Sequence, residues 1–297
     1  MSITRRQTLR LGGAALAAMH PLASQAQAAP PRIVASFSLL ADMAKELAPA
    51  GAQVTALVGP DADAHVYEPN PADGKRLAQA DLVLINGLGF EGWIERMVKV
   101  SGYRGTVAVA SQGIQPRAGG HHDVDPHAWQ DLALARRYAN NITAAFTQRW
   151  PRQRDELARR NADYVTRIDS LDARVRDWLG AVPRAQRRVI TSHDAFGYFG
   201  AAYGVDFLAP QGWNTHSEPS AAAVARLIRQ IRKDGVRAIF IENISDPRLV
   251  ERIAREGGAR IGGTLYSDAL SRLDGPAPTY LRLIEHNART LAAALQA

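Results

Sequence analysis

Three histidines carry most of the chemistry open to this chain. His65 stands in Asp61-Ala-Asp-Ala-His-Val-Tyr-Glu-Pro, His127 in Asp123-Val-Asp-Pro-His-Ala-Trp-Gln-Asp131, and His193 in Ile190-Thr-Ser-His-Asp-Ala-Phe-Gly-Tyr. A carboxylate, Asp268, ends an apolar run in Leu265-Tyr-Ser-Asp-Ala-Leu270. Both His65 and His193 follow stretches that read as strands, and Asp268 sits at another strand end. Loops beyond the carboxyl ends of parallel strands are where open α/β sheets bind ligands. Three neutral imidazoles and one carboxylate form a tetrahedral set suited to Zn²⁺. Taken singly, each histidine is more simply a structural or surface residue, and spacing alone does not bring the four together.

Composition narrows the chemistry. The 297 residues include no cysteine. That excludes disulfides, thiolate metal sites, cysteine nucleophiles and a lipid-modified N-terminal cysteine. Eight histidines, beside four methionines, are then the borderline-soft ligands available. Apolar residues at 46% and charged residues at 22% describe a globular chain, long enough for two modest lobes.

Residues 1–28 read as an export signal. Arg5, Arg6 and Arg10 form a positive start, Leu11 to Met19 a short apolar stretch, and Ala26-Gln27-Ala28 a small-x-small cleavage site. Thr4-Arg5-Arg6-Gln7-Thr8-Leu9-Arg10 resembles the twin-arginine signal. The apolar part falls short of the ~20 residues that a spanning helix needs. Without this segment, which holds three Arg and no acid, the formal charge drops from +7 to +4. The remaining Arg are scattered, with no basic stripe interleaved with aromatics, which argues against nucleic-acid binding.

The elements that must position the histidines alternate. Strands are predicted at 32–36, 53–58, 81–86 and 106–110, with helices at 39–47, 71–79 and 92–100 between them. A second set has strands at 188–191, 238–242 and 259–263, and helices at 221–233, 247–256 and 278–295. This βαβα pattern predicts α/β lobes with parallel sheets flanked by helices. Between the sets, Pro151 to Leu179 lacks Gly and any internal Pro, and Leu157, Tyr164, Ile168, Leu171, Val175 and Leu179 recur at helical spacing. A single long helix there would tie two lobes together. The expected organisation is a signal over 1–28, an N-terminal lobe over 29–150, a linking helix over 151–180 and a C-terminal lobe over 181–297.

Two other motifs fail. Gly87-Leu-Gly-Phe-Glu-Gly92 fits a dinucleotide fingerprint, but no acid stands at the next strand end near Ala110-Ser111. Ser192-His193-Asp194 has triad residue types, yet adjacent side chains cannot form the required relay.

A set of ordered segments carries a resemblance. His65-Val-Tyr-Glu-Pro-Asn-Pro-Ala-Asp73, Asn86-Gly-Leu-Gly-Phe-Glu-Gly-Trp93, Asp125-Pro-His-Ala-Trp-Gln-Asp131, Ser192-His-Asp-Ala-Phe-Gly-Tyr-Phe199, Ser217-Glu-Pro-Ser220 and Leu265-Tyr-Ser-Asp-Ala-Leu270 occur in that order. The chain resembles the metal-binding substrate-binding proteins of ATP-binding-cassette importers for zinc and manganese. The resemblance implies two α/β lobes joined by one long helix, with a metal in the interlobe cleft. It places the metal ligands at His65, His127, His193 and Asp268. A histidine at the third position leans towards Zn(II), since imidazole suits zinc better than the harder Mn²⁺; Mn(II) remains open. It further implies a monomer with an importer permease as partner and a metallochaperone as a further partner; the lack of cysteine removes the usual lipid anchor, so a soluble carrier retained in a periplasm is expected. No enzymatic role follows from it, the alternative class being a zinc hydrolase with Asp268 as base. Two departures stand out. The His/Asp-rich loop of many zinc members is reduced to Gly119-Gly-His-His-Asp-Val-Asp125, where His121 and His122 are either a vestigial capture loop or merely polar. His216 stands where many relatives carry an acidic or small residue, and reads as a surface group. His286 is expected to face solvent.

Overall fold

The computed structural model describes residues 29–117, 124–213, 215–216, 218–236 and 238–296. The segment read as an export signal, and His121 and His122, lie outside the described residues.

Four parallel strands open the fold: β1 (Arg32–Phe37), β2 (Gln53–Val58), β3 (Leu82–Ile85) and β4 (Thr106–Val109), in the spatial order β2-β1-β3-β4. Helices α1 (Ser38–Leu47), α2 (Pro71–Ala78) and α3 (Ile94–Ser101) connect them. The central strands are nearly continuous apolar runs, as burial on both faces requires. Asn70 caps α2, accepting from the Ala72 and Asp73 backbones while Asp73 reaches back to the Asn70 N–H. The second sheet repeats the order, with β5 (Arg188–Ile190), β6 (Asp206–Leu208), β7 (Ala238–Glu242) and β8 (Arg260–Leu265) arranged β6-β5-β7-β8, all parallel. Around it lie α6 (Gly197–Tyr203), α7 (Ala221–Asp234), α8 (Pro247–Gly257) and α9 (Tyr280–Gln296). The strand order reverses between β1 and β3 and again between β5 and β7, which creates a crevice at the carboxyl end of each sheet.

Two helices lie between the sheets in sequence. Over α4 (Leu132–Arg149) the sequence reading assigned no element, although Leu132, Ala135, Tyr138, Ala139, Ile142 and Phe146 are buried at helical spacing. Ala133, Leu134, Ala144 and Ala145 lie off that face, which weakens the apolar contrast. Also unassigned were α6 and β6, only 7 and 3 residues long. The long helix is present as α5 (Arg154–Gly180), 27 residues and about 40 Å at ~1.5 Å per residue. Pro151–Gln153 precede it as a separate 3₁₀ turn rather than as its first turn. All six apolar positions singled out along it are buried. It packs against α4 and α1 on one side of the molecule and α9 and α6 on the other. A single apolar core therefore runs from the first sheet through α5 into α9 and α6. A smaller core lies between β5, β7, α7 and α8.

His286 departs from expectation. Its Nε2 lies 3.0 Å from the Thr264 carbonyl and its ring meets the Tyr266 edge at 5.4 Å, so α9 presses it against β8. Among the described residues no helix is long and apolar enough to cross a membrane.

Leu171, at the middle of α5, is 1% exposed within the shared core. Leu171→Ala should lower unfolding stability by about 3 kcal/mol through lost transfer energy and a residual cavity. Chemical denaturation followed by circular dichroism checks this, and a loss under 1 kcal/mol contradicts a core that passes through the helix.

Candidate metal centre

The connections that follow β2, β4, β5 and β8 each contribute one residue to a buried cluster. The turn after β2 carries Asp61, at φ 53°, and Asp63, whose Oδ1 accepts the His65 N–H at 2.8 Å. Trp93 Nε1 donates to the Ala64 carbonyl at 2.9 Å, and the His65 ring packs edge-on against Phe90 at 4.7 Å. His127 arrives on the long connection after β4. Asn86, at the end of β3, donates to the Pro126 carbonyl beside it at 3.0 Å and accepts the Tyr138 hydroxyl from α4 at 2.5 Å. His193 follows β5, and its backbone N–H donates to Glu242 Oε1 at the end of β7, 2.8 Å away. Asp268 follows β8. Its approach is fixed by Asn287 on α9, which exchanges two hydrogen bonds with the Tyr266 backbone. The Ser267 carbonyl then accepts from Trp129 Nε1 at 3.0 Å and Gln130 Nε2 at 2.9 Å, just beyond His127. Ligand candidates from the two sheets are thus tied to one another through backbone.

The four sequence-predicted residues meet. One ligand atom from each of His65, His127, His193 and Asp268 lies within 4.8 Å of the others, and all four residues are buried. His65 Nε2 is 3.3 Å from His127 Nε2 and 3.2 Å from Asp268 Oδ2. His193 Nε2 is 3.2 Å from Asp268 Oδ2, and His127 Nε2 is 3.6 Å from Asp268 Oδ1. A tetrahedral ion with bonds of about 2.0–2.1 Å holds its ligand atoms roughly 3.3 Å apart. These four separations are close to the edge length of such a tetrahedron. Asp268 turns both oxygens towards the imidazoles, so the carboxylate is placed to bind through one oxygen or two.

A carboxylate stands beside Nδ1 of two of the rings. His127 Nδ1 lies 2.8 Å from Asp125 Oδ1, which also accepts the His127 N–H at 3.0 Å. That contact places the proton on Nδ1 and leaves the Nε2 lone pair facing the cluster. His193 Nδ1 is 2.7 Å from Glu242 Oε2, an ion contact that is not aligned as a hydrogen bond. Neither Asp125 nor Glu242 was singled out as functional from sequence. Glu242 carried a readable signal, since it is a carboxylate at the carboxyl end of a strand, as Asp268 is.

The cluster is electrostatically unfinished. Both Asp268 oxygens and His193 Nε2 are buried without a hydrogen-bond partner. Such groups are costly in a low-dielectric interior unless charge or hydrogen bonds compensate them. Burial works to lower the His127 pKa, but Asp268 and Asp125 outweigh it and hold the imidazole up to about 9. Against the same burial effect, Glu242 and Asp268 hold His193 well above its ordinary value. For His65 burial wins, and its pKa falls below the ordinary 6.5. Burial works to raise the Asp268 carboxyl, but His127 and His193 outweigh it and keep it well below the usual carboxylate range. Protons on His127 and His193 thus neutralise Asp268, and a divalent cation would take over that task.

The glycine motif has a different purpose. Glu91 is buried, and its Oε1 accepts from Ser36 Oγ at 2.5 Å and from the Asn86 N–H at 2.6 Å. Its Oε2 accepts the Gly87 N–H at 3.2 Å. The loop therefore cradles its own carboxylate where a phosphate would sit. Gly87, at φ 85°, has no room for a Cβ, which would lie 2.5 Å from Val109 Cγ1. His216 is exposed, as the sequence suggested.

A two-sheet fold with a buried three-histidine, one-aspartate cluster between strand ends defines a metal-binding architecture. Residues 33–294 match the family described as zinc-uptake complex component A, periplasmic, and the chain belongs to that family. It is 34% identical over 276 residues to the zinc-binding protein TroA of Treponema pallidum, covering 89% of each chain. The solved structure of that protein superposes with a TM-score of 0.86, covering 90% of this chain and 99% of that one at 31% identity. The iron-binding protein YfeA of Yersinia pestis is 32% identical over 265 residues, 88% of this chain and 85% of that protein. The manganese-binding lipoprotein MntA of Bacillus subtilis is 30% identical over 274 residues, 89% of this chain and 90% of that protein.

Two predictions follow from the geometry. Asp125→Asn and Glu242→Gln should each weaken metal affinity by about 10–100-fold while the protein stays folded; chelator-competition titration reads this, and unchanged affinity removes the orienting role. Because His127 keeps a proton up to about pH 9, metal binding at pH 7 should release protons. His193, held well above its ordinary value, gives up a second proton, so apparent affinity should climb by up to about a hundredfold per pH unit from pH 7 towards 9. Calorimetry in two buffers of different ionisation enthalpy measures the release, and an affinity already flat above pH 7 contradicts it.

Proposed function

We propose that this protein captures Zn(II) in the periplasm and hands it to the membrane permease of an ABC importer. The observation that carries the reading is the buried cluster of His65, His127, His193 and Asp268, whose ligand atoms lie within 4.8 Å of one another and include orphaned polar atoms. In this reading these four residues are the metal ligands. The neutral nitrogen-rich set favours zinc over a harder ion. A set closed by four protein ligands leaves no position for a reactive water, which supports a carrier over a hydrolase. Family members bear names that describe binding proteins, and one relative is named as the substrate-binding lipoprotein of a metal ABC transporter. The export segment 1–28, by the twin-arginine route, delivers the chain to the periplasm, where it acts as a soluble monomer loaded directly or by a metallochaperone. Residues 29–150 and 181–297 act as the lobes and 151–180 as the link.

Mn(II) is the second reading. The relatives' names span zinc, iron and manganese, and a carboxylate that offers two oxygens adds the hard donors that Mn²⁺ prefers.

Metal analysis of protein purified from the periplasm, with competitive titration of both ions, decides between them. One zinc per chain is expected, and His193→Ala should lose it. Preferential retention of manganese overturns the zinc assignment. Ester, peptide or phosphate turnover by the zinc-loaded protein that disappears in His193→Ala overturns the carrier reading in favour of a hydrolase.

A further inference from the structure

The cluster is sealed: His127, His193 and Asp268 are 0% exposed and His65 is 4% exposed. An ion must nevertheless reach it. A cavity of about 380 Å³ lies beside the loops that carry two of the ligands, and its wall includes Asp63, Ser192, Thr215, Glu218 and Asp246. Asp63 is two residues from His65, and Ser192 adjoins His193. Three carboxylates stand on this wall against one cation, Arg248, whose guanidinium is already engaged by Asp246 at 2.8 Å. The surplus negative charge draws cations towards the cavity. Ser192 adds an independent sign of an oxygen-seeking occupant. It is 6% exposed, and its Oγ has no hydrogen-bond partner.

One contact on this wall fastens the loop that bears His65. Thr215 Oγ1 donates to Asp63 Oδ2 at 2.5 Å, joining the loop that bears His65 to the loop beyond β6. The other oxygen of the same carboxylate holds the His65 backbone. The turn is further pinned by Asn243 Nδ2 on Asp61 Oδ1 at 3.0 Å and by the Asp61 N–H on the Leu270 carbonyl at 2.9 Å. His127 and His193 each have a carboxylate beside the ring Nδ1. His65 is held instead through its backbone and its edge contact with Phe90. It is thus the ligand whose ring is oriented without a carboxylate at Nδ1, and it sits on the loop that the Asp63–Thr215 bond fastens.

We propose that the metal ion enters and leaves through this cavity, and that the Asp63–Thr215 hydrogen bond is the gate. The hydrated cation is drawn in by Asp63 and Glu218 and exchanges water for the Ser192 hydroxyl on the way. It passes into the cluster when Asp63 parts from Thr215 and the His65 loop shifts. Asp63 and Thr215 are positioning residues here, since neither ligates the bound ion. The inference rests on the carrier reading above.

The absence of native cysteine makes the test direct. Glu218→Cys, labelled with a bulky maleimide, obstructs the cavity; Ala185→Cys, labelled alike, sits at a separate cavity beside Gln186 and Arg188. Stopped-flow kinetics follow Zn(II) uptake and chelator-driven release by the purified protein. The label at 218 should slow both rates at least tenfold and leave the equilibrium affinity within about twofold, while the label at 185 changes neither. Thr215→Val should speed release about tenfold, Thr215→Ser should restore the native rate, and the visible spectrum of the Co(II)-loaded protein should be the same in all three. Native exchange rates with the label at 218, or native release in Thr215→Val, overturn the route while zinc binding itself stands. Failure of the unlabelled protein to bind zinc, or equal binding by His193→Ala, overturns the carrier reading and the route with it.

Discussion

The cost of burying one carboxylate among three imidazoles governs this structure. Asp268 has no exposure, no hydrogen-bond donor and three histidine rings within about 3–4 Å. An isolated buried charge of this kind destabilises a fold by several kcal/mol unless an opposite charge compensates it. Protons on His127 and His193 supply one solution, and a divalent cation supplies the other. The same arrangement that makes the empty cluster awkward makes it a strong cation trap. The surrounding aromatic rings of Phe90 and Trp129 raise the stakes by keeping water away from the charges.

The scaffold holds that cluster by making each contributing loop answer to another. Asp268 is placed by backbone bonds from Trp129 and Gln130, which lie just past His127. His193 is set by Glu242 from the neighbouring strand. His127 depends on Asp125 and on Asn86, which itself depends on Tyr138. Nothing in this chain of contacts is a surface salt bridge of the kind worth a fraction of a kcal/mol. The peripheral Arg–Asp and Arg–Glu pairs, such as Arg136–Asp169, decorate the exterior without bearing on the site.

Much of this was legible beforehand. Alternating apolar runs and amphipathic stretches gave away both parallel sheets, because strands buried on two faces cannot be polar. The heptad-like spacing from Leu157 to Leu179 marked the long helix. The convergence of His65, His127, His193 and Asp268 rested on ordered motifs and not on spacing, since residues 203 apart in sequence have no local rule that brings them together. What escaped notice was either weakly patterned or dependent on tertiary contact. On α4 apolar residues such as Leu134 and Ala144 also lie off the buried face, and β6 is three residues long. Glu91 reads as an ordinary surface acid until the loop closes around it. His286 sits on a helix face whose neighbour, β8, comes from a distant part of the chain.

The continuous core along α5 has a mechanical meaning. Its inward face is apolar over most of its length, and helices from both halves of the molecule interlock with it. A beam seated on both sides resists bending far more than a flexible tether does. Wide clam-like excursions would tear open close-packed interior, at a cost comparable to partial unfolding. Compliance is therefore concentrated in the loops at the strand ends, a few residues around the cargo. A recognition partner that must distinguish full from empty protein would have to read this small rim, because the body of the molecule looks the same in either condition.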